Sequence, residues 1–293
     1  DVAVGVVNVP DARVDRLGAM YRPRKTTHAT VTFTDIGGLG SGARASTITG
    51  PLRNELAKVD GFVHVVQAFA DPSGDARGLE HELILLDMVI VEYRLERLAA
   101  EWARGRGDTR QRSEAETALM ERLRAHLDGE RPLRELEGLA AAERKVVGGY
   151  GLLSLKPMLV LSNLADDAEE SLADDLLPPA RGRVCAAVRG RVEAEIAQLE
   201  PGERQAFLEA YGIEETGAAR VIQLAYRLVG LSSFFTVGED EVRAWTVRVG
   251  ATALEAAAAI HTDLAKGFIR AEVTAYDELI GLGGPKAARA AGK

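Results

Sequence analysis

Ala29-Thr30-Val31-Thr32-Phe33-Thr34-Asp35-Ile36-Gly37-Gly38-Leu39 is the stretch on which the reading of the fold turns. A β-branched, apolar run ends in an acid, and the acid is followed by a glycine pair. The first six residues read as a buried strand. An aspartate at the end of such a strand can hold a water of a Mg²⁺ ion. A glycine just beyond it can turn a bare backbone N–H toward a γ-phosphate, because no side chain stands in the way. The same D-x-x-G spacing also describes an ordinary strand-to-loop turn, so the surrounding chain decides between the two.

Working outward, four further short apolar runs have the character of strands in an α/β sheet: Val2–Val9, Phe62–Phe69, Met158–Leu161 and Arg183–Val188. Each is short, rich in branched residues and bounded by polar or turn residues. Pro10-Asp11-Ala12-Arg13 caps a helix that continues through Leu17 and Met20, and Pro51 to Lys58 reads as a short helix. From about Gly78 to Tyr150 the pattern changes. Leu79, Leu83, Leu86, Ile90, Tyr93 and Arg97 recur at heptad spacing, Arg104 to Asp108 interrupts, and Leu119, Leu123 and Leu127 mark a second helix. The two suggest an antiparallel hairpin that projects from the sheet domain, with an ordinary two-helix packing unit as the alternative. Helices are then expected over Val192–Leu199, Glu203–Tyr211 and Ala218–Val229. Beyond Leu231 come strands at Phe234–Val237 and Val242–Val247, a helix over Ala253–Lys266 and a strand over Phe268–Val273. That order suggests a small β-grasp domain.

Composition narrows the function classes. Acidic residues outnumber basic ones by 44 to 36, for a formal charge of −8, which argues against a general electrostatic grip on nucleic acid. The single cysteine, Cys185, rules out an intramolecular disulfide framework and fits a reducing cytoplasm. No apolar run reaches the roughly 18 residues of a membrane span, and no signal-peptide pattern is present. The chain opens at Asp1 directly in an apolar run and reads as the interior of a longer polypeptide.

Several motifs together resemble the YchF or Obg-like ATPases, a family of translation-factor-related P-loop NTPases. They are Gly5-Val6-Val7-Asn8-Val9-Pro10-Asp11-Ala12-Arg13, Asp35-Ile36-Gly37-Gly38-Leu39, Leu155-Lys156-Pro157, Ser162-Asn163-Leu164-Ala165-Asp166, Val184-Cys185-Ala186-Ala187 and Glu193-Ala194-Glu195-Ile196. The most specific block is the last: Phe234-Phe235-Thr236-Val237-Gly238, Glu241 to Thr246, His261-Thr262-Asp263 and Lys266 to Ala271. The resemblance implies an α/β fold: a Ras-like P-loop NTPase sheet domain (1–77 and 151–230), a helical-hairpin insertion (78–150) and a C-terminal β-grasp (TGS) domain (231–293). Its P-loop, switch-I threonine and closing TGS strands are expected to lie outside this chain. A paralogue without a P-loop is the alternative.

The same resemblance assigns roles. Asp35 would organise Mg²⁺ through water and Gly38 would approach the γ-phosphate. Leu39 takes the place of the water-orienting glutamine of Ras-like enzymes and has no amide to align water, so hydrolysis should be slow. Asn163, Leu164 and Asp166 stand where GTPases carry Asn-Lys-x-Asp. Asp166 points toward guanine, and Leu164 toward the adenine habit of the family. ATP/ADP is therefore favoured, with GTP/GDP the alternative, and a plain turn cap is the structural reading of Asn163. Cys185, Ala186 and Ala187 would offer backbone N–H groups to the base. Arg189-Gly190-Arg191 is interposed before the helix that normally follows. His64 reads as a core histidine. His261 and Trp245 read as structural, with ligand or RNA contact the functional alternative. The arginines at 94, 97, 104, 106, 110 and 112 make either a solvated face or a ribosome- or RNA-facing hairpin tip. The expected function is a nucleotide-dependent switch on the ribosome. A non-hydrolysing adaptor that binds RNA or protein is the competing one.

Overall fold

The computed structural model describes residues 2–36, 48–68, 72–104, 108–166, 180–210 and 215–293. In chain order they form β1 (Val2–Asn8), α1 (Ala12–Tyr21), β2 (Lys25–Thr27), β3 (Thr30–Ile36), α2 (Gly50–Lys58), β4 (Phe62–Gln67), α3 (Pro72–Arg104) and α4 (Asp108–Asp128). There follow a 3-10 turn at Leu133–Glu135, α5 (Ala141–Gly148), β5 (Met158–Asn163), β6 (Arg183–Val188), α6 (Gly190–Gln198), α7 (Pro201–Ala210) and α8 (Gly217–Leu228). The chain closes with β7 (Leu231–Val237), β8 (Glu241–Arg248), α9 (Ala253–Ile260), α10 (Thr262–Lys266), α11 (Tyr276–Gly281) and α12 (Pro285–Ala290). Contacts group these into two compact units, residues 36–229 and residues 1–35 together with 230–293.

The larger unit is built on the parallel sheet β4-β5-β6, in which Gln67 pairs with Asn163 and Asn163 with Val188 at the carboxyl ends. Every residue of β5 from Met158 to Ser162 is buried, as expected of a central strand with both faces covered. Leu159, Leu161 and Ala186 on one face meet Val221, Leu224 and Leu228 of α8. Val66, Met158 and Val160 on the other meet Leu56 of α2 and Leu83 of α3. Two glycines allow close approach. A Cβ at Gly61 would lie 2.8 Å from Val229 and 3.0 Å from the Pro157 carbonyl, and one at Gly217 would lie 2.7 Å from Glu193.

Helix α3 serves two cores. Leu83, with Leu79 and Leu86 half-buried, faces the sheet. Further along, Ile84, Met88, Val91, Leu95 and Leu98 pack with Leu119, Met120, Leu123 and Leu127 of α4. This stripe also steps 4-3-4-3, but in a different register from the one read in the sequence. Tyr93 of the expected stripe is 61% exposed. The sequence pattern could not choose between two interleaved apolar rows.

Buried polar groups tie the base of the helices to the sheet. Asp87, fully buried on α3, accepts from the Leu153 and Ser154 N–H groups at 2.8 and 2.7 Å. Burial pushes its carboxyl pKa up. The Glu80 carboxylate takes both Arg134 and Arg183, the latter at 2.9 Å. Lys156 donates to the carbonyls of Ala57, at 2.8 Å, and Val59.

In the smaller unit β2 pairs parallel with β8, and β8 pairs antiparallel with β7, giving the order β2-β8-β7. Helix α1 packs against these strands. Asp11 caps it, accepting from the Arg13 N–H at 3.0 Å. β1 and β3 form a separate ladder, so residues 1–35, which the sequence reading places at the start of the sheet domain, share a unit with the C-terminal residues. The helix expected over Ala253–Lys266 breaks at His261, whose φ and ψ are −162° and 139°. The His261 ring accepts from the Asp263 N–H at 3.2 Å and caps α10, a structural role. Phe268–Val273, expected as a strand, joins no ladder among the described residues, and Ile269 is 91% exposed. Two short helices follow it.

Candidate functional site

In an open parallel sheet, ligands are received beyond the carboxyl ends of the strands. Here that edge is the turn after β4, the Asn163–Asp166 segment after β5 and the Val188–Gly190 turn after β6. The ladder continues briefly past the strands: the Ala68 N–H donates to the Asn163 carbonyl at 3.1 Å, and the Leu164 N–H to the Val188 carbonyl at 2.8 Å. Asn163, Leu164 and Asp166 are thereby brought beside Ala187 and the start of α6.

The residues divide into those that hold the edge together and those that face outward. The Asn163 Oδ1 accepts from the Gly190 N–H at 3.0 Å, so this side chain clamps β5 to the first turn of α6. A Cβ at Gly190 would lie 2.8 Å from that oxygen, which is why glycine suits the position. Leu164 is 4% exposed and packs with Ala187 and Ala68, and so belongs to the core. Cys185, Ala186 and Ala187 lie inside β6, and the turn leaving the strand is Val188-Arg189-Gly190. Arg220 of α8 donates to the Ala187 carbonyl at 2.6 Å. Asp166 is about half exposed and lies 3.8 Å from Arg191, which is itself 3.4 Å from Glu195.

Two contributors went unassigned in the sequence. Glu193 accepts from the Gly217 and Ala218 N–H groups, at 2.8 and 3.2 Å, and caps α8. A glutamate on the helix after the site, with Thr-Gly-Ala some twenty residues on, is the signal that could have found it. Arg191 was seen only as part of an interposed segment. Of the expected phosphate-side residues, Asp35 is exposed on β3 in the smaller unit, while Gly38 and Leu39 lie outside the described residues. No cluster of three acid, histidine or cysteine groups suited to a metal occurs among the described residues. One exposed carboxylate fits a Mg²⁺ held mainly by water and phosphate oxygens, the usual habit of that ion, and would not fit a protein cage.

Two of the hairpin arginines, Arg94 and Arg110, have acidic partners. Arg94 meets Glu101 and Glu116 at 2.9 and 2.8 Å, and those partners raise its pKa. Arg110 stacks 3.9 Å over Trp102 and lies 3.8 Å from Glu114. Residue 106 lies outside the described residues. No helix among the described residues is long and apolar enough to cross a membrane.

A parallel sheet packed with helices, a two-helix insertion and a further unit that holds the C-terminal residues are consistent with a P-loop NTPase fold with a helical insertion. The structure of the YchF GTPase of Schizosaccharomyces pombe is similar to it with a TM-score of 0.86, at 27% identity, over 99% of this chain and 82% of that one. The chain is 38% identical over 305 residues to the Ribosome-binding ATPase YchF of Haemophilus ducreyi, covering 99% of this chain and 83% of the relative. It is 36% identical over 315 residues to that of Bacillus subtilis, covering 100% of this chain and 84% of the relative. Residues 231–293 match the YchF-GTPase_C family, described as "Protein of unknown function (DUF933)". The chain belongs to the YchF family of Obg-like proteins.

Proposed function

We propose that this protein is a nucleotide-binding switch that works on the ribosome, takes ATP in preference to GTP and hydrolyses it slowly. The bacterial relatives are named ribosome-binding ATPases and the similar structure a GTPase, which supports nucleotide and ribosome as partners. The observation that supports a base site here is the clamp of Asn163 on Gly190 at the carboxyl edge of the sheet, with Asp166 half exposed three residues on. Mg²⁺ would be held through water by Asp35 and would supply charge neutralisation at the phosphates. Leu39 supplies no amide to orient an attacking water, which supports slow turnover. We assign 1–77 and 151–230 to the NTPase domain, 78–150 to the insertion and 231–293 to the TGS domain. The absence of a long apolar helix among the described residues is compatible with the cytoplasmic setting a ribosomal role requires.

Thermal unfolding of the full-length protein with ADP and with GDP is the test. At a hundred times Kd a bound nucleotide stabilises by about 2.7 kcal/mol. ADP is expected to raise the midpoint more than GDP, and Asn163→Ala to reduce the ADP shift. If neither nucleotide moves the midpoint, the nucleotidase reading is wrong and the adaptor reading replaces it.

A further inference from the structure

We infer that Arg191 sets the choice between adenine and guanine at this site, by pairing with Asp166. The inference rests on the proposed nucleotide site and deepens it. A lone carboxylate offers two acceptor oxygens, which suits guanine, whose N1–H and exocyclic amine are adjacent donors. Asp166 is not alone. The Arg191 Nη1 lies 3.8 Å from its Oδ2, and the two side chains are 77% and 48% exposed. The pair therefore presents an N–H donor beside a carboxylate acceptor on an open surface. Adenine carries the matching edge, an acceptor at N1 next to the donating N6 amine. The Arg191 charge 3.8 Å from the carboxylate also sets a cation beside the place where guanine would present its donors.

Three features of the edge place this function on Arg191. Leu164, in the position where GTPases carry the ring-covering lysine, is buried against Ala187 and Ala68 and turned into the core. Asn163 is committed to the Gly190 N–H. Arg191 sits one residue after Gly190 in the first turn of α6, so the clamp that fixes Gly190 also fixes where Arg191 starts. Glu195, one turn on and 3.4 Å from the Arg191 Nε, steadies the guanidinium, whose Nη1 lies on the Asp166 side.

The test measures the Kd values of ADP and GDP on the full-length protein and on Arg191→Ala, Arg191→Lys and the double variant Arg191→Ala/Asp166→Ala. Arg191 is exposed, so its variants should fold. Arg191→Ala is expected to lower the ratio of GDP to ADP Kd by about three- to tenfold, the range for an exposed ion pair together with one hydrogen bond. Arg191→Lys should fall between, since it keeps the charge and loses the planar fork. Removing Asp166 as well should abolish the gain for GDP. If both nucleotides bind the unaltered protein and Arg191→Ala leaves their ratio unchanged, the role of Arg191 is refuted and the nucleotide site stands. If neither binds, both readings fall.

Discussion

Replacing Asp87 by alanine tests how the inserted helices are tied to the sheet. Asp87 lies on α3, fully buried, and its two oxygens take the N–H groups of Leu153 and Ser154 at 2.8 and 2.7 Å. Those amides belong to the loop that leads into β5, and they too are buried. Truncation leaves both donors without an acceptor, at about 1–3 kcal/mol each, or about 2–6 kcal/mol together. The opposing term is relief of a buried carboxylate, whose desolvation is the largest cause of its raised pKa. That gain takes the expected net loss to the lower half of the range, about 2–3 kcal/mol. With a urea m-value of about 3 kcal/mol/M, the midpoint should fall by nearly 1 M. Hydrogen exchange should quicken first at Leu153 and Ser154. Asp87→Asn keeps one acceptor and should lose roughly half as much. The pH dependence has a definite sign. A carboxyl whose folded pKa is raised contributes stability that is complete below its unfolded pKa and is lost as pH rises through the folded one. The unaltered protein should therefore lose stability relative to Asp87→Asn as pH climbs from about 4. An alanine variant whose urea midpoint matches the unaltered protein would show that the carboxylate's desolvation cancels its bonds, and would refute the reasoning.

Three further substitutions have definite expected outcomes. Gly217→Ala places a Cβ 2.7 Å from the Glu193 Oε1 and 2.9 Å from the Val188 Cγ1, forcing the carboxylate off the N-terminus of α8. A loss of about 1–2 kcal/mol by denaturant unfolding is expected, whereas Gly78→Ala, in open space on α3, should stabilise by about 0.5–1 kcal/mol. Glu80→Gln removes the one carboxylate that Arg134 and Arg183 share, both nearly buried. It should cost about 3 kcal/mol, and an unchanged midpoint would mean that Arg134 is satisfied by the Ser154 and Lys156 carbonyls and Arg183 by Glu135, 3.9 Å away.

How much could be read beforehand depended on whether the deciding contact was local. β5 was legible because a strand buried on both faces is a short apolar, branched run whatever its neighbours, and β4 and β6 beside it kept the same apolar character although neither is fully buried. β2 was not. Lys25-Thr26-Thr27 is polar, and its pairing partner, Glu241 to Arg243, lies more than two hundred residues on. The α3 stripe was legible as a period but not as a register, because Leu83 and Ile84, one residue apart, are both buried and enter different cores. His261 defeated the single helix over Ala253–Lys266 by offering its ring to the Asp263 N–H, a local bond that competes with helix continuation. At the site, Asn163 and Asp166 were found by motif. The commitment of Leu164 to the core and the pairing of Arg191 with Asp166 are tertiary facts that no spacing encodes.

That division also bears on where selectivity can reside. At the edge of the sheet, Asn163 is occupied by Gly190, Leu164 by the core and the Ala187 carbonyl by Arg220. These groups are fixed by the fold and hold the edge in one shape whichever base arrives. Among the described residues, the side chains that stand on the surface of this edge are Asp166 and Arg191, with the Nδ2 of Asn163 beside them. A solvent-exposed pair contributes about 1 kcal/mol or less, a preference of about fivefold at most, and a hydrogen bond to the base would have to supply the rest of the roughly 1.4 kcal/mol that a tenfold preference needs. If Arg191 sets the base as inferred, the choice rests on a small energy, separate from the larger energy with which phosphate contacts would hold any nucleoside triphosphate. Its signature is a preference that weakens with ionic strength, because exposed charges are screened while the buried frame is not. A GDP-to-ADP ratio that stays constant from low to high salt would place the choice in the fixed frame instead, at Leu164 and Ala187.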